Sequence, residues 1–349
     1  MDSADSAARA ALSAWGEGFE PTAMAGGLIN RSFAVRGPND ARYVLQRVSP
    51  IFDPSIHDNV LAVTEHIASR GLTTPLLVAT TGGSPWASTA DGGVWRLLTR
   101  VPGVSFHEVQ GPAQARAAGA LVARFHSALE DLDHEFVARR LGVHDTPAHL
   151  ATLATAVDAG RSHRLHDAVA PLAEAILPGA EALAPLGEVP ERAAHGDLKI
   201  SNVLFAGPEP PGSEEPVCLV DLDTLGPMPL CWELGDAWRS WCNPLGEDVE
   251  ETRFDLPIYE AAVAGYAAGC TLELLPEERA SLIHGLEWVT LELAARFAAD
   301  ALRETYFGWD EARFSGLGEH NLVRARGQWC LHQAVMACRS QRAAALAAL

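Results

Sequence analysis

The side chains best suited to chemistry lie in His195-Gly196-Asp197-Leu198-Lys199-Ile200-Ser201-Asn202 and, nineteen residues after Asn202, in Val220-Asp221-Leu222-Asp223. A carboxylate, Asp197, is followed two residues on by a cation, Lys199, and five on by an amide oxygen, Asn202. A hairpin joining Asn202 to Asp221 would bring a second carboxylate to the same end of a short sheet, where a hard cation that prefers oxygen could bind both groups. Phosphoryl transfer asks for such a set: a carboxylate to orient and deprotonate the acceptor hydroxyl, oxygen ligands for magnesium, and a cation on the moving phosphoryl group. Taken singly, His195, Asp197 and Asn202 are residues that turn a loop by bonding nearby backbone groups. The whole string, followed by an apolar-Asp-x-Asp strand, points to catalysis.

Lys199 stands out for a second reason. The chain carries 25 arginines and this one lysine. An ammonium and a guanidinium are not interchangeable at a crowded phosphate, so the exception calls for a chemical explanation.

The elements that must hold these residues fall into two halves. After a helix expected over Ala7–Trp15, the segment from Thr22 to about Val101 is rich in strand signals. Ser32–Val35 and Arg42–Val48 alternate in the strand manner around the turn Gly37-Pro38-Asn39-Asp40. A helix follows over Pro54–Arg70, then strands over Leu76–Ala79 and Val94–Leu98. From Gly111 onwards helices dominate, over Gln114–Leu129, Ala148–Val157, Leu165–Leu177, Asp255–Ala268, Pro276–Leu302 and Leu322–Leu349. One short β island interrupts them, from Asn202 to Leu222. The expected fold class is α+β: a small antiparallel-sheet lobe over residues 1–101 and a larger helical lobe over 102–349, with a cleft between.

Composition sets outer limits. The chain has 349 residues, and its hydrophobic share of 48% supplies a large core and excludes intrinsic disorder. No stretch nears the ~18 apolar residues of a membrane span. The start, MDSADSAARAALSAWGEGFEP, has no basic region followed by an apolar one, so no signal peptide is expected and a cytoplasmic location is. A formal charge of −19 argues against nucleic acid or an anionic membrane as partner. Six cysteines, none in a C-x-x-C pair, suit reduced thiols better than disulfides or zinc.

The catalytic string resembles the motifs of the aminoglycoside phosphotransferase-like kinases, relatives of the protein kinases. Within that family the likeness is greatest to bacterial N-acetylhexosamine 1-kinases. It extends to Leu28–Val35, Tyr43–Gln46, His144–Pro147, Leu222–Thr224, Gly235-Asp236 and Glu319–Arg324. The resemblance implies a bilobal, protein-kinase-like fold and an ATP- and Mg2+-dependent transfer to a small molecule. Asp197 would be the base, with Lys199 beside it, and Asn202, Asp221 and Asp223 would hold Mg2+. Gly26, Gly27 and Asn30 would cover the nucleotide phosphates, and Thr99 and Val101 would face the adenine. Asp236 would brace the catalytic loop. The departure is Gln46, at the strand position where most kinases place a lysine, paired to a helix glutamate, for the α and β phosphates; Glu65 is given no role.

For the acceptor, the resemblance points to an N-acetylhexosamine (GlcNAc or GalNAc) phosphorylated at its anomeric hydroxyl. Candidate contacts are Asp197, Arg296, Asp300, Tyr306 and Arg324. Arg296 and Asp300 stand four apart on one helix face, so a plain helix ion pair is the competing reading. Trp232, Trp238, Trp241 and Trp288 read as core, and His144-Asp145-Thr146-Pro147 as a helix start. Alternative functions are a kinase of an aminoglycoside, a choline-like alcohol or homoserine, or an inactive kinase-fold scaffold. The partners expected are ATP and a small sugar, and the chain is expected to be a monomer, with a dimer left open.

Overall fold

The structure, a computed structural model, describes residues 3–24, 30–139, 142–183, 186–207 and 214–349. Gly26 and Gly27 therefore lie outside the described residues. Helix α1 (Ser3–Leu12) leads into β1 (Glu20–Ala23), β2 (Arg31–Arg36) and β3 (Arg42–Val48). Helix α2 (Ile56–Ser69) is followed by β4 (Ala87–Ser88) and β5 (Val94–Thr99). The five strands form one antiparallel sheet in the order β1-β2-β3-β5-β4. Alternation sorts its side chains between two faces. Phe33, Val35, Leu45, Trp95 and Leu97 pack with Ala8, Ala11 and Leu12 of α1 and with Trp15. The opposite face presents the cross-strand row Ser32, Gln46 and Arg96, with Val44 paired to Leu98.

Two strand expectations change. Glu20–Ala23 is a strand that its Pro21 hides, and its place at the sheet edge is where proline is tolerated. Leu76–Ala79 is not a strand; it makes a single bridge, from Leu77 to Leu98.

The second half contains α3 (Pro112–Ala128), α4 (Thr146–Ala159) and α5 (His166–Ile176). Short strands β6 (Arg192–Ala194), β7 (Val203–Phe205), β8 (Pro216–Leu219) and β9 (Gly226–Met228) follow, β7 pairing with β8 and β6 with β9. Then come α6 (Leu230–Trp241), α7 (Leu256–Gly269), α8 (Pro276–Arg303), α9 (Leu317–Ala337) and α10 (Arg339–Leu346). Helices α3 and α7 touch backbone to backbone: a Cβ on Gly265 would lie 1.9 Å from the Arg116 carbonyl oxygen. One core joins α3, α6 and α7 to the β7–β8 hairpin; another joins α4, α5, α8 and α9.

The catalytic string is pinned by its own apolar members. Leu198, Ile200 and Val203 are buried in the larger core, as are Leu219 and Leu222 on either side of Asp221. Burying each such side chain contributes about 1.5–3 kcal/mol, and between them Lys199 and Asp221 remain partly exposed. All six cysteines are free thiols, and no helix of the described residues is long and apolar enough to cross a membrane.

Candidate active site

The loop before Asp197 is held from three sides. Glu233 of α6 accepts hydrogen bonds from the His195 backbone N–H (2.7 Å) and the Gly196 N–H (2.9 Å). The His195 ring bonds the Val220 carbonyl through Nε2 at 3.0 Å, and its Nδ1 faces the Asp197 N–H at 3.3 Å. A neutral ring donating from Nε2 satisfies both contacts. The Thr224 hydroxyl donates to the His195 carbonyl (2.8 Å), and the Trp241 indole N–H to that of Leu198 (2.7 Å). Gly196 has φ of +83°, and a Cβ there would meet the Thr224 carbonyl oxygen at 2.4 Å, so glycine is required on both counts.

These bonds bring the expected cluster together. Lys199 Nζ lies 2.6 Å from Asp197 Oδ2 and 3.9 Å from Asp221 Oδ2. Asn202 donates from Nδ2 to the Asp197 carbonyl (2.8 Å), which turns its amide oxygen the other way. The Asn202 carbonyl in turn accepts the Val220 N–H at 2.9 Å, so the hairpin sets Asn202 beside Asp221. Asp221 takes the left-handed conformation (φ 66°, ψ 58°), uncommon for a residue with a Cβ and frequent at functional positions. Burial, then the neighbouring Asp223 carboxylate, raises the Asp221 pKa above the usual carboxylate range. Burial would lower the Lys199 ammonium, but the charge and hydrogen bond of Asp197 outweigh it and raise its pKa. Side-chain exposures of 26% for Asp197, 34% for Lys199 and 32% for Asp221 leave all three within reach of a ligand.

A cavity of about 360 Å³ opens between sheet and hairpin; Gln46, Thr99, Val101 and Asp221 all line it. Asn30 does not; its Nδ2 donates to Asp223 (2.5 Å) and its Oδ1 accepts the Ser49 N–H (2.9 Å). It ties the sheet to the hairpin. Asp223 is also corrected as a metal ligand. One of its oxygens is bonded by Asn30 and the other by Arg96, with the Arg96 and Asp223 side chains each only 2% exposed. Asp236 pairs with Arg239 at 2.9 Å, and the carboxylate that takes the loop's backbone N–H groups is Glu233, nearly one turn earlier.

On the other side, two cavities of about 440 and 400 Å³ share Gly142 and Val143. Arg296, Asp300 and Tyr306 line the first. The Arg296 guanidinium lies over the rings of Tyr306 (5.7 Å) and Phe307 (5.5 Å), and its charge partner is Glu292 at 3.6 Å, not Asp300. Asp300 accepts the N–H groups of Tyr306 (3.0 Å) and Phe307 (2.9 Å) and the Asn321 amide (3.0 Å). It shapes the loop after α8 and has little left to offer a sugar. Arg324 lines neither cavity; it bonds Asp248 through Nε (2.7 Å) and the Gly308 carbonyl through Nη1 (2.8 Å). The second cavity abuts the catalytic loop at Gly196 and Thr224. There Trp232, expected in the core, stacks on His144 with ring centroids 5.0 Å apart, while Asp145 caps α4 through the Ala148 N–H.

Arg96, Glu233 and the His144–Trp232 stack were missed by sequence reasoning. A charged residue flanked by apolar ones mid-strand, and an acid within an apolar helix, are the signals that bury only with a partner.

The sequence profile described as the phosphotransferase enzyme family, APH, matches residues 20–272. The chain belongs to this family. The matched span takes in the sheet, the catalytic loop, the hairpin, α6 and α7, and ends before α8. Solved structures agree on the fold. The phosphotransferase is similar to a microcompartment-associated aminopropanol kinase, at 16% identity and a TM-score of 0.59 over 96% of this chain and 97% of that one. It is also similar to amicoumacin kinase hAmiN, solved in complex with AMP-PNP, Ca2+ and Ami, at 15% identity and a TM-score of 0.58 over 88% and 86%. An aminoglycoside phosphotransferase from Alicyclobacillus acidocaldarius subsp. acidocaldarius matches at 16% and 0.57 over 95% and 96%. This is an enzyme with the protein-kinase-like fold, a small-molecule kinase.

Proposed function

We propose that the enzyme moves the γ-phosphoryl group of ATP, with Mg2+, onto the anomeric hydroxyl of an N-acetylhexosamine. The observation that carries the transfer chemistry is the cluster of Asp197, Lys199, Asn202 and Asp221, whose Asp221 lines the cavity between sheet and hairpin. Asp197 Oδ1, the oxygen not bonded to Lys199, is the atom to take the acceptor's proton as its oxygen attacks in line. Lys199, protonated, neutralises charge spreading over the equatorial oxygens.

The donor set fits a divalent ion that keeps phosphate oxygens among its ligands. Among the described residues no group of three or more His, Cys, Asp or Glu could hold a metal alone, but Asn202 and Asp221 stand side by side. Magnesium is bound in this way, through one or two carboxylates plus substrate phosphates. When bound there, Mg2+ supplies positive charge to the β and γ oxygens; Asn202 Oδ1 and Asp221 would hold it.

The sugar is supported by the sequence resemblance and by the aromatic faces of Tyr306 and Phe307 beside Arg296, suited to an apolar ring face and its hydroxyls. A second reading, a cationic amino alcohol, is favoured by the Trp232–His144 stack with Asp145 and Glu191 lining the same cavity. ATP consumption with Mg2+ across N-acetylglucosamine, N-acetylgalactosamine, aminoglycosides, choline and homoserine separates them. We expect turnover with the N-acetylhexosamines and a phosphorus NMR signal for an anomeric phosphate. Turnover with the cationic acceptors alone would select the second reading, and none with any acceptor would leave a scaffold. Asp197→Asn should lower kcat by about 10²–10⁴-fold, the range for a general base.

A further inference from the structure

Gln46 leaves the sheet without the strand lysine expected to meet the nucleotide's phosphates, yet a cation stands across the ladder from it. Gln46 and Arg96 are register partners on β3 and β5, and both side chains line the cavity that reaches Asp221. That cavity has two ends. Val44, Leu98 and Val101 make an apolar end beside the connection between the lobes, suited to a base. Ser32, Gln46 and Arg96 make a polar end, and Arg96 is bonded to Asp223, two residues after the cavity-lining Asp221. A nucleotide laid with its base at the first end and its terminal phosphate at Asp221 runs its inner phosphates past this row.

The guanidinium is built for that position. Gln46 Oε1 accepts from Arg96 Nε (2.9 Å) and Nη2 (2.7 Å), and Gln46 is itself held by donating to the Ser32 hydroxyl (3.1 Å). Asp223 takes Nη1. Three of the five N–H groups are thus committed; one on each terminal nitrogen is left, on a side chain that is 2% exposed and lines the cavity. The side of α2 nearest the pair supplies no competing charge. His57 is buried, burial lowers its pKa so that it is neutral, and its Nε2 has no hydrogen-bond partner; Glu65 is exposed.

We infer that Arg96, oriented by Gln46 and Asp223, is the cation that binds the inner phosphates of the nucleotide. The inference rests on the kinase reading of the site. Calorimetric titration of the full-length protein with adenosine, Mg-ADP and Mg-ATP tests it. Arg96→Gln should weaken Mg-ADP and Mg-ATP by about 10–100-fold, the range for hydrogen bonds to charged groups, and leave adenosine within about twofold. Arg96→Lys should recover part of the loss. Because the single change strands Asp223 in the interior, the pair Arg96→Gln with Asp223→Asn is titrated in parallel and should show the same preference for phosphate-bearing ligands. An equal loss for adenosine and Mg-ADP in the double variant, or no loss for either, would reduce Arg96 to a tether between the lobes and overturn the inference. A wild-type protein that binds none of the three ligands would instead sink the kinase reading beneath it.

Discussion

Lys199 is the only lysine in the chain, and its Nζ is shared between Asp197 at 2.6 Å and Asp221 at 3.9 Å. A compact ammonium fits between two carboxylates and can still turn a third N–H towards a phosphate, whereas a planar fork cannot. Lys199→Arg should therefore lower kcat by about tenfold or more although the charge is kept, a loss worth about 1.4 kcal/mol of barrier. Steady-state rates at saturating ATP check this, and a variant as fast as the wild type would remove any special role for the ammonium. At the same scale, Asp223 and Asp300 have the residue types of ligands, but both oxygens of each carboxylate are bonded within the protein. Type and spacing show what a side chain can bond, not what already bonds it.

Helix α6 decides the shape of the catalytic loop. It carries Glu233, which takes two loop N–H groups, Trp241, which bonds the Leu198 carbonyl, and Trp232, which faces the second cavity. Burial would raise the Glu233 pKa, but the hydrogen bonds it makes with His126 and the Gly196 N–H help hold it below the usual glutamate value. Glu233 is therefore charged, and charge-assisted bonds to two backbone groups are worth about 1.5–3 kcal/mol each. Glu233→Gln should destabilise the fold by about that amount and reduce kcat while leaving the KM for ATP nearly unchanged. Urea denaturation and initial rates check both; an unchanged midpoint would mean the loop holds itself. The helix escaped sequence reading because Gly235 sits at its centre. The structure shows why it is there: a Cβ would lie 2.6 Å from the Gly285 carbonyl carbon, where α6 crosses α8.

For the molecule as a whole, the buried polar cluster between α8, α9 and α10 ties stability to pH. Burial drives the pKa of His332 down to about 4, Arg342 adding to it and Glu287 opposing it. Its Nδ1 meets the Thr290 hydroxyl at 3.0 Å, and its ring stacks on Trp329. A histidine with a depressed folded value contributes stability in full above its unfolded value near 6.5, and loses it as pH falls towards the folded value. Between pH 6.5 and about 4 the folded protein should thus weaken by up to about 1.4 kcal/mol per pH unit from this residue. Urea midpoints across that range check the slope, which His332→Gln should flatten; an identical slope in the variant would clear His332 of the effect.

That Asp197, Lys199, Asn202 and Asp221 come together was legible because they are close in sequence or joined by one short hairpin, where spacing alone limits geometry. So was the α+β division, since the periods of strand and helix differ. Contacts over long separations were not. Arg96 meets Asp223 across 127 residues and His126 meets Glu233 across 107, and no local pattern encodes either pairing. The sequence by itself determined which residues could move a phosphoryl group and placed them on one loop and hairpin. Only the tertiary structure decided which polar groups were left over for a ligand, because a buried donor or acceptor must be satisfied and its partner is chosen by packing.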